Sequence, residues 1–350
     1  MVNSGSSANL VMIAGLKKYW GWRDEDEIIV SPVAFPSTIS VIYQNRLKPV
    51  FADIEWETLN FDLSKVDEKI SDRTVAIFLS PVLGNPPNMW RLIELCDRRD
   101  ILLVLDNCDS LGSRWNGEYL NEYAGASSCS FYPAHHICTG EGGMISTDDK
   151  DLMKIMRSMV SWGRDCTCVG EGNMLKDGSC GKRFDRWLKD YDGVVDHKYV
   201  FSNMGYNLKP LDLQGAIGSI QLEKFHNIEQ RRKRSKYVIE PIITQIEGVR
   251  SVIEYEEADT CWFGIPFICQ TGELKQRLVT HLEQNKIQTR NYFSGNILLH
   301  PGYSFLDDYR KYPEANKVLD LVFFLGCAPH YEEPVFEYIY EVVKKFENGV

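Results

Sequence analysis

Along the first two hundred residues, short unbroken apolar runs alternate with stretches whose apolar positions recur at helical spacing. EIIVSP, PVFADI, VAIFLSP, ILLVLD, SCSFYP and GGMIST are β-rich and short, while PSTISVIYQN and PNMWRLIELCDRR between them carry the spacing of a helix face. Alternation of that kind predicts crossover connections and an α/β fold with a mostly parallel sheet. Near the start, SSANLVMIAGLKKYW is apolar on nearly every side behind two hydroxyl residues, the pattern of a capped helix buried against a sheet. The first residues read as a strand end running into that helix, so a preceding segment is expected to be missing.

Residues 164–200, from RDCTCVGEGNMLKDGSCGKRF to VDHKY, lose the periodicity and gain Gly, Asp and Cys, which predicts a long loop of the functional kind. PLDLQGAIGSIQLEKF and HNIEQRRKRSKYVIEPIITQIEG then read as helices, with RRKR taken as a solvated helix face. Beyond about residue 245, IEYE, CWFGIPFIC and helices near 272–285, 313–323 and 335–348 suit a smaller α+β domain. The expected division is 1–225 for the large α/β domain, including the cysteine-containing loop, and 226–350 for the smaller one.

At 350 residues, 44% hydrophobic and 25% charged, the chain is neither disordered nor fibrous. Thirty-nine basic residues against 49 acidic ones leave a net charge of −10, which argues against a phosphate-backbone partner such as nucleic acid. No apolar run reaches the roughly 20 residues that cross a bilayer, and the start lacks a basic then apolar leader, so a cytoplasmic, membrane-free protein is expected. Ten cysteines, mostly scattered singly, point to thiols or metal and redox chemistry rather than disulfides.

Candidate chemistry clusters where strands end. Gly5-Ser6-Ser7 opens a helix, where hydroxyls and free N–H groups either cap the helix or receive a phosphate. Asp106 and Asp109 follow ILLVL, as turn formers or as a carboxylate that pairs with a protonated ring nitrogen. His135 and His136 sit between SFYPA and TGEGG, as a polar pair, a metal pair or a base.

Taken in order, NSGSSAN, LVLDNCDSLG, SFYPAHHICTGEGG, NMGYNLKPLDLQGAIGSIQL and TRNYFSGN resemble the fold-type I pyridoxal-phosphate enzymes, and within them the nucleotide-sugar aminotransferase and dehydratase family. The resemblance runs nearly end to end. It implies that Gly5, Ser6, Ser7 and Ser130 meet the cofactor phosphate, that Phe35 stacks on the pyridine, and that Asp106 pairs with its nitrogen. Asp109 would lie near the ring hydroxyl. Asn207 would reach the phosphate of a neighbouring subunit, which implies a homodimer, and Arg290 would contact the nucleotide sugar.

The family's Schiff-base lysine is replaced by His135. Histidine cannot anchor the cofactor covalently, so the implied resting form is pyridoxamine phosphate with His135 as the general base. That feature resembles two groups of 3-dehydratases. One, like GDP-4-keto-6-deoxymannose 3-dehydratase, uses the cofactor alone; the other, like CDP-4-keto-6-deoxyglucose 3-dehydrase, adds a 2Fe-2S cluster and takes electrons from a reductase. Cys108, Cys166, Cys168 and Cys180 follow the order of the cluster-bearing group, with gaps of 57, 1 and 11 residues, the last longer than the family's pattern. A cluster needs four thiolates. The expectation is therefore C-3 deoxygenation of a nucleotide-linked 4-keto-6-deoxyhexose, with a flavin, iron–sulfur or ferredoxin-type reductase as partner. The alternatives are the cluster-free dehydratase and a non-catalytic relative that binds a nucleotide sugar.

Overall fold

The computed structural model describes residues 1–166, 183–185 and 187–347. Helix α1 (Gly5–Trp20) is capped by Ser4, whose hydroxyl accepts from the Ser7 N–H, and ends at Gly21 in the left-handed region (φ +68°). Ala8, Val11, Met12, Ile13 and Leu16 are completely buried, so the helix is enclosed rather than amphipathic.

The six apolar runs become the strands of one sheet. They are β1 (Glu27–Val30), β2 (Lys48–Phe51), β3 (Thr74–Leu79), β4 (Leu102–Asp106) and, after the short strands β5 (Arg114–Trp115) and β6 (Glu118–Tyr119), β7 (Ala126–Ser130) and β8 (Gly143–Ser146). The order is β2-β1-β3-β4-β7-β8. Side chains alternate between faces: Ile28, Val30, Ala76, Phe78 and Val104 pack toward α1, and Ile29, Ile77, Leu79, Leu103 and Leu105 toward the opposite layer. With both faces covered, the strands read as continuous apolar runs. Helices α2 (Pro36–Gln44), α3 (Leu63–Lys69), α4 (Met89–Arg99) and α5 (Lys150–Val160) complete the layers.

All neighbouring pairs run parallel except β7 and β8, which are antiparallel. A parallel return needs a crossover of a dozen or more residues, usually helical. The β7–β8 connection instead folds back as an irregular loop, and that loop carries His135. Because β1 leads to β2 on one side and the chain then returns to β3 on the other, the order reverses beside β1. Ligands of such sheets collect at that crevice, outside the carboxyl ends of the strands.

After α6 (Asp212–Glu223) and the long α7 (Phe225–Thr244) come β9 (Val249–Ser251), β10 (Ala258–Asp259), β11 (Gly264–Cys269), α8 (Gly272–Gln284), β12 (Thr289–Asn291), α9 (Pro313–Leu321), β13 (Val322–Gly326) and α10 (Glu333–Glu347). Four strands form an antiparallel sheet, β12-β13-β11-β9, while β10 joins β5 and β6 in a small three-stranded sheet. One apolar cluster runs from α1 and the large sheet to Ile265, Phe267 and Phe323 of the second sheet. Helix α6 differs from the others: none of its residues is buried, and Leu213, Ile217, Ile220 and Leu222 are exposed.

Candidate active site

A cavity of about 930 Å³ opens where β4 and β7 end and where the second sheet faces the first. Its floor is Asp106, the last residue of β4, which is 4% exposed. Its Oδ2 accepts from Asn9 Nδ2 at 2.8 Å and Thr38 Oγ1 at 2.7 Å, and its Oδ1 from the Cys108 N–H at 3.3 Å and Ser128 Oγ at 3.4 Å. A carboxylate at this depth needs its lone pairs met, and four donors from four segments meet them.

Gly5 and Ser6, at the start of α1, line the cavity with Ser130 from the end of β7. A Cβ added to Gly5 would lie 2.5 Å from Ser130 Cβ and 3.1 Å from Cys108 Sγ, so only a glycine lets the start of α1, a helix's positive end, pack this closely on the end of β7 at the cavity. Ser7, grouped with them on sequence grounds, is instead tied to the cap, its hydroxyl accepting from Ser4 Oγ at 3.0 Å, and it does not line the cavity. Phe35 precedes α2 with its ring half exposed to the cavity and edge-on to Phe293.

His135 lines the cavity on the β7–β8 loop, held through its N–H to the Tyr132 carbonyl at 3.0 Å. Its Nδ1 lies 3.2 Å from Asp109 Oδ1, but off the line of a hydrogen bond, so this buried nitrogen is close to a carboxylate without being bonded to it. The ring rests on Phe263, centroids 5.1 Å apart. Asp109 thus stands beside the imidazole, a neighbour that the sequence placed at the cofactor ring. His136 points the other way. It is buried, and its Nε2 lies 2.8 Å from the Cys261 carbonyl, which can only accept, so Nε2 carries the proton.

Burial first, and then the Arg232 charge, push the His136 ring well below the ordinary histidine range. The unfolded ring binds a proton below about pH 6.5 and the folded one does not, so this stability is present above that pH and is lost as pH falls. Wild type should lose about 1.4 kcal/mol more than His136→Gln between about pH 7.5 and 5.5, by urea unfolding. Equal losses would show that the folded ring protonates freely.

Arg290 also lines the cavity, its Nη1 donating to the Thr289 carbonyl at 2.8 Å. Asn207 is exposed, accepts from Lys209 Nζ at 2.5 Å and does not reach the cavity of its own chain. Lys286, between α8 and β12, is the only lysine among the described lining residues. Lys209 lies over the Trp162 ring, and Lys182 is outside the described residues.

Of the four candidate cluster ligands, Cys108 lines the cavity, and burial, aided by Asp106, drives its thiol well above the usual range. Cys166 is half-buried, while Cys168 and Cys180 lie outside the described residues. Among the described residues no group of three or more His, Cys, Asp or Glu side chains is placed to hold a metal ion.

Asn9, Thr38 and Arg232 are site residues that the sequence reading passed over. Asn9 had a visible signal, a polar residue inside an otherwise apolar helical run. Arg232 corrects the reading of RRKR as a solvated face: it is 4% exposed, whereas Arg231 and Arg234 pair with Glu332 and Lys233 with Glu229 and Asp259. The buried positions of α7, Glu229, Arg232, Ser235, Ile239 and Ile243, recur at helical spacing, which puts Arg232 inward.

Among the described residues no helix is long and apolar enough to cross a membrane. The profile of a family described as the DegT/DnrJ/EryC1/StrS aminotransferase family matches residues 1–344. A dTDP-4-dehydro-2,6-dideoxy-D-glucose 3-dehydratase of Saccharopolyspora spinosa is 36% identical over 99% of this chain and 76% of its own. A GDP-4-keto-6-deoxy-D-mannose 3-dehydratase of Escherichia coli O55:H7 is 32% identical over 85% of this chain and 74% of its own. A solved E. coli GDP-4-keto-6-deoxy-D-mannose-3-dehydratase with bound hydrated PLP superposes with a TM-score of 0.83 at 28% identity, over 98% of this chain and 86% of that one. With the fold-type I architecture shared and the match running almost end to end, the chain belongs to the DegT/DnrJ/EryC1/StrS aminotransferase family.

Proposed function

We propose that this chain is a pyridoxamine-phosphate-dependent 3-dehydratase that removes the C-3 hydroxyl of a nucleotide-linked 4-keto-6-deoxyhexose. The observation that carries the reading is His135 at the cavity wall beside Asp109, with Lys286 the only lysine among the described residues that line the cavity. The relatives' names, two sugar 3-dehydratases, support the substrate class.

The residues fit the cofactor. Gly5, Ser6 and Ser130 would hold its phosphate where the start of α1 packs closely on the end of β7, Asp106 would face the ring nitrogen, and Phe35 would cover a ring face. When bound, the group supplies an amine that condenses with the sugar ketone and a ring that draws off electron density. His135 does the proton work: Nδ1 is turned to Asp109, which leaves Nε2 to take and return a proton on the cavity side. Phe263, against which the ring lies, covers one side of it. Replacing Gly5 by alanine should weaken cofactor binding about tenfold or more, the equivalent of a modest overpacking strain, read by absorbance titration; unchanged affinity would place the phosphate elsewhere.

The proposal extends to a homodimer and a 2Fe-2S cluster. A second copy would cover the exposed apolar face of α6 and bring its own Asn207 toward the phosphate. Cys108, with Cys166, Cys168 and Cys180, would hold the cluster, Cys108 already standing in the cavity wall beside Asp106. Metal binding would then have to displace the proton that burial holds on this thiol.

Product analysis tests the reading. Supplied with pyridoxamine phosphate and CDP-, GDP- or TDP-linked 4-keto-6-deoxyhexose, the protein should yield a sugar lighter by one oxygen atom, the two electrons coming either from a reductase, with water released, or from the cofactor amine, with pyridoxal phosphate and ammonia left. An amino sugar would reinstate transamination, and no conversion with any of the three would favour a binding relative. Iron, acid-labile sulfide and reductase-dependent turnover in anaerobically purified protein would support the cluster. Turnover without iron, sustained by an amino donor that restores the cofactor amine, would assign the cluster-free chemistry.

A further inference from the structure

Arg232 is a buried guanidinium that pairs with no carboxylate among the described residues. Its Nη1 donates to the carbonyls of Trp262 and Phe263, both at 3.2 Å, and toward Cys327 Sγ at 3.6 Å. Its Nη2 donates to the His135 carbonyl at 3.3 Å, and Nε has no partner. A buried cation without a counter-ion is costly, and a planar fork that spreads its donors over several carbonyls is a specific way to use one.

Those carbonyls belong to two segments far apart in sequence: the β7–β8 loop that carries His135 and the approach to β11. Phe263 contributes both a carbonyl to the fork and the ring on which the His135 imidazole lies. One side chain from α7 therefore ties the main chain of His135 to the aromatic wall behind its ring. The ring's own contact with Asp109 is poorly aligned, so the ring is not fixed by a hydrogen bond at Nδ1.

We propose that Arg232 is a positioning residue for His135, clamping the loop to the Trp262–Phe263 segment so that the imidazole stays turned toward Asp109. The proposal rests on the reading of His135 as the base, and the test is arranged so that the two can fail separately.

The test compares Arg232→Lys and Arg232→Met with wild type, with melting curves to confirm folding. Lysine keeps the charge and loses the fork. In cofactor-free protein labelled with ¹⁵N-histidine, the His135 signals are assigned by their loss in His135→Asn. Wild type should show one tautomer, protonated at Nδ1, and both variants a mixture of tautomers. In loaded protein, Arg232→Lys should lower kcat on the order of 10- to 100-fold, as expected of a small misplacement, with KM changed by less than about threefold. Wild-type tautomer and kcat in a folded Arg232→Lys would overturn the clamp, and so would a defect confined to KM, which would mark a substrate-anion contact. If methionine prevents folding, the lysine variant carries the test. If wild type shows no dehydration, the reading of His135 fails, while the resonance measurement still decides the role of Arg232.

Discussion

Replacing His135 by asparagine is expected to lower kcat for deoxygenation by about 10²- to 10⁴-fold, the range lost when a positioned general base is removed. On the proposed role, in which the imidazole moves a proton and anchors neither cofactor nor sugar, the effect should appear in kcat. Folding should be nearly unaffected: the side chain is 16% exposed and its Nδ1 makes no hydrogen bond that asparagine would forfeit. Melting curves and product formation on the same preparation separate the two. A variant that turns over within about threefold of wild type would remove His135 from the chemistry.

Asp106→Asn should have the next largest effect. The carboxylate accepts from Asn9 and Thr38 on one oxygen and from Cys108 and Ser128 on the other. An amide would set an N–H₂ against donors that point inward, leaving at least one buried group unpaired at roughly 1–3 kcal/mol. On the proposed function it would also withdraw the charge that would face a bound pyridine nitrogen. Together these should lower kcat by about 10²- to 10³-fold, comparable with losing a preorganised electrostatic partner, and weaken cofactor binding seen by absorbance. Unchanged binding and turnover would mean that the ring nitrogen lies elsewhere.

Much of the large sheet could be read from the residues because its strands are covered on both faces, which turns each into an apolar run with polar ends. Asp106 and Ser130 sit at the last positions of β4 and β7, so reading strand ends also located the cavity. The antiparallel β8 was not readable: GGMIST looks like its neighbours, and its direction follows from a loop too irregular to cross over. Asp109 shows another limit. Three residues after Asp106, it could face the ring or the base, and only the turn geometry places it at His135. Arg232 was hidden among cations that do face solvent, and telling it apart required the inward phase of α7. Helix α6 reads as an ordinary amphipathic helix, yet its apolar residues are left exposed by this chain alone.

The proposed chemistry needs a cofactor held without a covalent bond, which borohydride reduction reads out. Protein loaded with pyridoxal phosphate, reduced, and examined by intact mass and peptide mapping should carry no stoichiometric adduct on any lysine, and dialysis before reduction should release the cofactor. One cofactor per chain fixed to a single lysine after reduction would contradict the account and return the protein to transamination.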